Sequence, residues 1–269
     1  SIIEEHKHRY KSITESILRK LVENYDDAVV GQSKVMKHIL PALYSQHRNA
    51  RKRPVVLLFL GDSGIGKTET AKYISDVLGE RLVRIQCSMQ QTNIAYQYIF
   101  GGEHNQNSMA RDLIRRTSNV ILLDEFDKVH PQFYNAFYQM FDEGKYVDSS
   151  YEVDVSKCVF ICTSNFQSRT EAEKQLGKPI LSRFSEVVIF EPLSAESKMR
   201  IVDNALETYI SKLSKADRKI MEEKNGTKSI RAEFENVIKR GGGYGNIRML
   251  KNDIENAINY KMLEWKGLL

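Results

Sequence analysis

Three short stretches of this chain carry residue types at spacings that suit chemistry on a phosphate anhydride. Gly61-Asp-Ser-Gly-Ile-Gly-Lys67-Thr68 has the form Gly-x-x-x-x-Gly-Lys-Thr. Glycines let consecutive backbone N–H groups turn inward, and such a concave row of donors holds phosphate oxygens. Asp62, Ser63, Gly64, Ile65 and Gly66 would line that cradle, with Glu69 just beyond it. Lys67 would reach the β- and γ-phosphates of ATP, and the Thr68 hydroxyl would hold Mg²⁺. The second stretch, Val120-Ile-Leu-Leu-Asp124-Glu125, is an apolar run closing on two carboxylates. Asp124 suits a Mg²⁺ held through water, and Glu125 suits a base that orients and deprotonates the attacking water. The third, Cys158-Val-Phe-Ile-Cys-Thr-Ser-Asn165, ends in an amide. Asn165 could bond either the γ-phosphate or the water, since ligands of parallel sheets sit at the carboxyl ends of strands.

These residues need particular elements to position them. A phosphate loop follows a strand and opens a helix, which assigns Val55–Leu60 and Lys67–Leu78. Further strand-like runs are Leu82–Ile85, Val120–Leu123, Cys158–Thr163 and Val187–Phe190, with helical patterns such as Met109–Arg116 between most of them. Apolar strands alternating with helices predict an α/β fold whose parallel sheet is covered on both faces. Tyr146–Val155 reads as an inserted hairpin. Upstream, residues 4–25 place Ile13, Ile17, Leu18, Leu21 and Val22 at helical spacing, and residues 33–48 do so with Val35, Ile39, Leu43 and Tyr44. Beyond Pro192 only helical patterns remain, over 195–213, 229–239 and 246–264. The expected organisation is an amphipathic helix or linker over 1–25, an α/β domain over 26–193 and a small helical domain over 194–269.

Composition narrows the function class. With 269 residues, 41% hydrophobic and 28% charged, the chain can bury a core without disulfide or metal staples. Its net charge is +5, and residues 1–53 carry all of it, with 11 Lys/Arg against 6 Asp/Glu. This is no uniformly basic nucleic-acid-binding domain, so nucleic acid is not favoured as a partner. The longest apolar run, Pro54–Leu60, is too short for a bilayer, and the polar start is no secretory signal. A start without Met suggests an excised or processed piece. Cys87, Cys158 and Cys162 are odd in number, and the latter two sit in an apolar run. They read as buried free thiols in a reducing compartment, the cytoplasm.

Together, the three stretches resemble the AAA+ ATPases, and most closely the second ATPase module of the Clp chaperone-unfoldase branch, over about residues 25–265. Val29-Val30-Gly31-Gln32 looks like the stretch that packs on adenine. Asp124-Glu-Phe-Asp-Lys128-Val-His130-Pro131 resembles the Walker B segment of that branch. Asp142-Glu-Gly144-Lys also matches it, and so does Thr163-Ser-Asn165, as sensor 1. The resemblance implies that Arg183, in Leu181-Ser-Arg183-Phe, is an arginine finger reaching a neighbouring subunit's site. It implies that Arg248, in Gly245-Asn-Ile-Arg248, is the sensor 2 contact to the γ-phosphate, one residue further from the glycine than in the commonest Clp form. Ile201 and Val202 either close over the adenine or pack in a helical core. The family's three-layer ATPase domain with a helical lid is implied, with ATP and Mg²⁺ as cofactors. So are a homo-oligomeric hexameric ring or spiral and the remodelling of a protein partner.

Two departures stand out against that family. Its substrate-gripping pore loop corresponds to Gly102–Ser108, which is short and holds no Tyr, Phe or Trp, only His104. Its protease-docking tripeptide is approached only by Leu176-Gly-Lys178, where Lys replaces an apolar anchor, so docking on a Clp-type protease is not expected. Two alternatives therefore stand beside the remodelling motor. One is a nucleotide-gated assembly switch. The other is a DNA remodeller or loader, because Gly245-Asn-Ile-Arg248 also resembles DNA-acting branches.

Overall fold

The computed structural model describes residues 10–48, 53–89, 93–102, 107–241 and 243–269. His104 and most of the loop around it lie outside the described residues, as do the first nine residues and the basic connection at 49–52. The chain divides into two units, residues 1–29, 33–61 and 67–190 in the first, and 30–32, 62–66 and 191–269 in the second.

The first unit is built on a five-stranded sheet in which every pairing is parallel. Its strands are β1 (Val55–Leu60), β2 (Val83–Gln86), β3 (Val120–Asp124), β6 (Val159–Thr163) and β7 (Glu186–Ile189). A separate antiparallel hairpin pairs β4 (Lys145–Val147) with β5 (Glu152–Asp154), starting one residue before the span read as an insertion. The sheet order is β2-β3-β6-β1-β7. The three central strands are buried at every residue, whereas β2 and β7 at the edges are only partly so. This explains why the central strands read as strongly apolar runs, broken only at their carboxyl ends by Asp124 and Thr163 and within β6 by Cys162.

Strand alternation sends Val56, Leu58, Ile121, Leu123, Phe160 and Cys162 into a core shared with the aromatic rings of Phe126, Phe137 and Phe141. Leu57, Phe59 and Leu122, all fully buried, point to the other face. The helix Val35–His47 packs on β1 and β7, and the helix Lys67–Leu78 packs on β3 and β6. In the former, Val35, Met36, Ile39 and Leu43 are buried but Tyr44 is exposed.

The N-terminal helix is shorter than the 4–25 pattern suggests. It runs Glu15–Glu23 and is capped by Thr14, whose hydroxyl accepts the Ile17 N–H at 3.3 Å. Leu18, Leu21 and Tyr25 are buried. Tyr25 shares a 2.8 Å hydrogen bond with Thr70, and the Tyr73 hydroxyl donates to the carbonyl of Lys20 at 3.0 Å. This segment is therefore seated on the helix that follows the phosphate loop.

Among the described residues, the second unit holds four helices, Ala195–Ser211, Lys215–Glu223, Gly226–Lys239 and Ile247–Trp265. Ile201, Val202, Ile230, Phe234, Leu250 and Ile254 are among its core residues. The sequence pattern gave three of these helices. Lys215–Glu223 buries only Met221, so its apolar stripe is too thin to read. Its better signal is the cap, Ser214 accepting the Asp217 N–H at 3.1 Å.

Candidate active site

The strand order brings the three chemical stretches together. β3, β6 and β1 are neighbours, and because all run the same way, their carboxyl ends lie along one edge. In register, Leu58 and Leu123 both stand opposite Cys162, which puts Asp124 level with Thr163 and Phe59. The loop leaving β1 turns through positive φ at Gly61 (126°), Gly64 (77°) and Gly66 (116°), which only glycine adopts readily. It then opens the helix Lys67–Leu78, in whose first turn lie Thr68, partly buried, and Glu69, exposed. Asp62 and Ser63 are exposed at the loop's tip, and Ile65 is buried.

Lys67 is 7% exposed for so polar a side chain. Its Nζ donates to the Gly61 carbonyl and, at 3.5 Å, to Asn165 Oδ1, so the loop lysine and the amide ending β6 converge. Beside them lies a tight polar knot. The Thr163 hydroxyl donates to Asp124 Oδ1 at 2.5 Å and accepts the Glu125 N–H at 3.0 Å. That second bond holds Glu125 in a left-handed conformation, φ 56° and ψ 47°, which costs a non-glycine residue ~1 kcal/mol. The turn re-aims the carboxylate at the strand's end, and Gln86 Nε2 donates to its Oε2 at 2.6 Å. Asp124 Oδ2 is paired with Arg84. Cys87 lies beneath, its thiol pushed far up by burial first and then by the carboxylates of Asp124, Asp127 and Glu125.

The donor set suits a hard cation. Asp124 and Thr68 offer oxygen only, which is Mg²⁺ chemistry, and no cluster of three or more His, Cys, Asp or Glu among the described residues suggests a softer metal. Thr163, Gln86 and Arg84 are the polar partners that sequence reasoning did not assign a role. A threonine ending an apolar strand level with Asp124 is a usable signal for the first. The other two follow only from β2 pairing with β3.

Arg183 lies in the first unit, held within its own chain. Its Nε donates to Asp142 Oδ2 at 2.8 Å, its Nη1 to the Pro179 carbonyl, and its guanidinium lies 4.1 Å from the Tyr138 ring centroid. Val29 is buried at the end of a short helix, Tyr25–Ala28. In the second unit, Gly31 (φ 83°) sits so close to Leu193 and Ser197 that a Cβ would clash, and Val30 packs on the helical core. Gln32, also of the adenine-like stretch, is buried and donates to the carbonyls of Ile65 and Glu191 at 3.1 and 2.9 Å. Ile201 is 4% exposed inside the helical core, and Val202 is fully buried there. Arg248 is exposed in the first turn of the helix Ile247–Trp265, whose cap Asn246 accepts its N–H at 2.8 Å. The Ile247 N–H in turn donates to the Gly64 carbonyl at 2.9 Å, so loop residue and helix start are bonded within this unit.

Residues 52–239 match the profile of the family described as AAA domain (Cdc48 subfamily). The chain belongs to this AAA family. Among curated proteins, it is 32% identical over 216 residues to the chaperone protein ClpB of Helicobacter hepaticus, an alignment covering 70% of the chain and 25% of that relative. It is also 32% identical over 212 residues to the ClpB of Staphylococcus aureus strain COL, covering 66% of the chain and 24% of the relative. The chain thus spans about a quarter of the length of these relatives. A closed-state structure of Hsp104 with ATPγS and FITC-casein superposes with a TM-score of 0.72 at 23% identity, covering 94% of this chain and 49% of that one. That likeness is one of fold. The Clp-type AAA+ assignment drawn from the motifs holds, and so does the parallel-sheet α/β fold with its helical portion. No helix among the described residues is long and apolar enough to cross a membrane.

Proposed function

We propose that this AAA chain binds ATP with Mg²⁺, hydrolyses it, and uses the cycle to remodel a protein partner within a hexameric ring or spiral in the cytoplasm. The observation that carries the reading is the convergence of Lys67 on Asn165 beside the Asp124–Thr163–Glu125 knot. In this reading, residues 62–68 cradle the phosphates and Lys67 balances their charge. Thr68 and Asp124 hold Mg²⁺, which when bound would neutralise charge on the phosphates. Glu125, aimed by its left-handed turn, takes the proton from the attacking water, and Asn165 orients that water or the γ-phosphate. Val29, Val30, Gly31 and Ile201 form the adenine side. Arg183 acts on a neighbouring subunit's nucleotide, and Arg248 senses the γ-phosphate. The domain division proposed is 26–193 for the ATPase core and 194–269 for the lid, with residues 1–25 leading in.

Glu125→Gln tests the chemistry. Nucleotide binding should persist while turnover falls by about 10²-fold or more. Unchanged hydrolysis in this variant would refute the assignment.

The pore-loop stretch without Tyr, Phe or Trp favours a second reading, a nucleotide-gated assembly switch. A motor's turnover rises when its partner engages, whereas a switch turns over about once per assembly cycle. The absence of protease docking is also proposed. Leu176 of the nearest tripeptide is buried in the core, and the exposed Lys178 beside it is paired with Glu173 at 3.6 Å.

A further inference from the structure

Asp124 already has a cation. Arg84, two residues before the end of the edge strand β2, extends along the sheet and puts Nη2 on both Asp124 Oδ2 and, at 3.1 Å, Gln86 Oε1. The register places Gln86 directly opposite Asp124 and Arg84 opposite Leu122, so Arg84 and Asp124 meet diagonally on one face. The two ends of the pair differ in setting. The Asp124 side chain is 10% exposed and that of Arg84 is 50% exposed. A buried carboxylate without a counter-charge is costly, and Arg84 supplies that charge. The two carboxylate oxygens are not equivalent. Oδ1 is fixed by the neutral Thr163 hydroxyl, and Oδ2 is held by a guanidinium that can return to water at an open sheet edge.

We infer that Arg84 is a built-in competitor for the metal position. It holds Asp124 Oδ2 and must release it for that oxygen to take part in holding Mg²⁺, while Thr163 keeps Oδ1 and the carboxylate's orientation throughout. This rests on Asp124 being a metal ligand, as proposed above. Its functional consequence is a threshold: the site accepts a divalent ion only when that ion, with its nucleotide, outcompetes Arg84. Gln86 makes the exchange visible to the catalytic carboxylate, because the same side chain takes Arg84 on Oε1 and gives Nε2 to Glu125.

The test is Mn²⁺ binding to the full chain saturated with ADP, read from loss of the free-ion EPR signal. Arg84→Gln should tighten Mn²⁺ by about fivefold, the size expected for removing one half-exposed competing ion pair. In EDTA, the affinity of the same variant for a fluorescent ADP should not change. Unchanged or weakened Mn²⁺ binding in Arg84→Gln overturns the inference. So does an ADP affinity in EDTA that shifts by the same factor as the Mn²⁺ affinity, since that reports a general field and not a contest for Oδ2. Asp124→Asn separates the layers. If it leaves Mn²⁺ binding intact, the metal-ligand reading itself fails and takes this inference with it. If Asp124→Asn weakens Mn²⁺ and Arg84→Gln does nothing, only the inference on Arg84 fails.

Discussion

At the scale of single residues, the site depends on groups too commonplace to be noticed in a sequence. Thr163 fixes a carboxylate and a strained backbone with one hydroxyl. The phosphate-loop lysine, the acid pair and Asn165 are legible because their spacing is rare, whereas Arg84 and Gln86 are ordinary polar residues on a short edge strand. The cysteines give a further prediction at this scale. All three are buried, and burial pushes the Cys158 thiol up to about 12 despite the nearby Arg116. A thiol reagent at about pH 8 should leave all three unlabelled in the native chain and label all three after unfolding in urea, because only the thiolate reacts. The sign for stability follows. Unfolded thiols ionise before native ones as pH rises past the ordinary thiol range, so the native state binds more protons and stability falls on the alkaline side. Rapid labelling of the native chain would contradict the burial of these three thiols.

At the scale of elements, the strands were more legible than the helices. β1, β3 and β6 are buried on both faces and read as continuous apolar runs. By contrast, the helix Lys215–Glu223 exposes most of its surface and has only its serine cap to announce it. Helix ends depend on single backbone conformations. Gly144 closes the helix Tyr134–Glu143 at φ 69°, its N–H on the Met140 carbonyl at 3.2 Å and its own carbonyl taking the Val155 N–H at 2.8 Å, which joins helix to hairpin. Gly144→Ala should cost about 1 kcal/mol, seen as a lower urea midpoint with unchanged slope. Gly243→Ala is the control. It has open space around it and no positive φ, so its midpoint should hold or rise slightly.

At the scale of the whole molecule, the +5 charge of the first 53 residues has a structural setting. Its described part is folded onto the sheet and the helix Lys67–Leu78, with Tyr10 bonded to the Arg116 carbonyl at 3.1 Å and the Lys11 N–H to Glu80 at 2.7 Å. Arg183 carries the oligomer prediction. It is held by Asp142, Pro179 and Tyr138, and its Nη2 has no hydrogen-bond partner among the described residues. A guanidinium so oriented, with donors to spare, suits service to a second subunit. Arg183→Ala and Lys67→Ala should each lose about 10³-fold in ATP turnover or more, and mixing the two inactive proteins should restore a fraction of it. No recovery on mixing would argue that Arg183 does not act in trans. By itself, the sequence determined the family and the parallel-sheet class, because a phosphate loop and an acid pair on apolar strands need fixed local spacing and buried strands. Only the tertiary structure decided the partners. Strand order put β2 beside β3, and that adjacency, set by packing between residues far apart in the chain, is what gave Asp124 its arginine and Glu125 its glutamine.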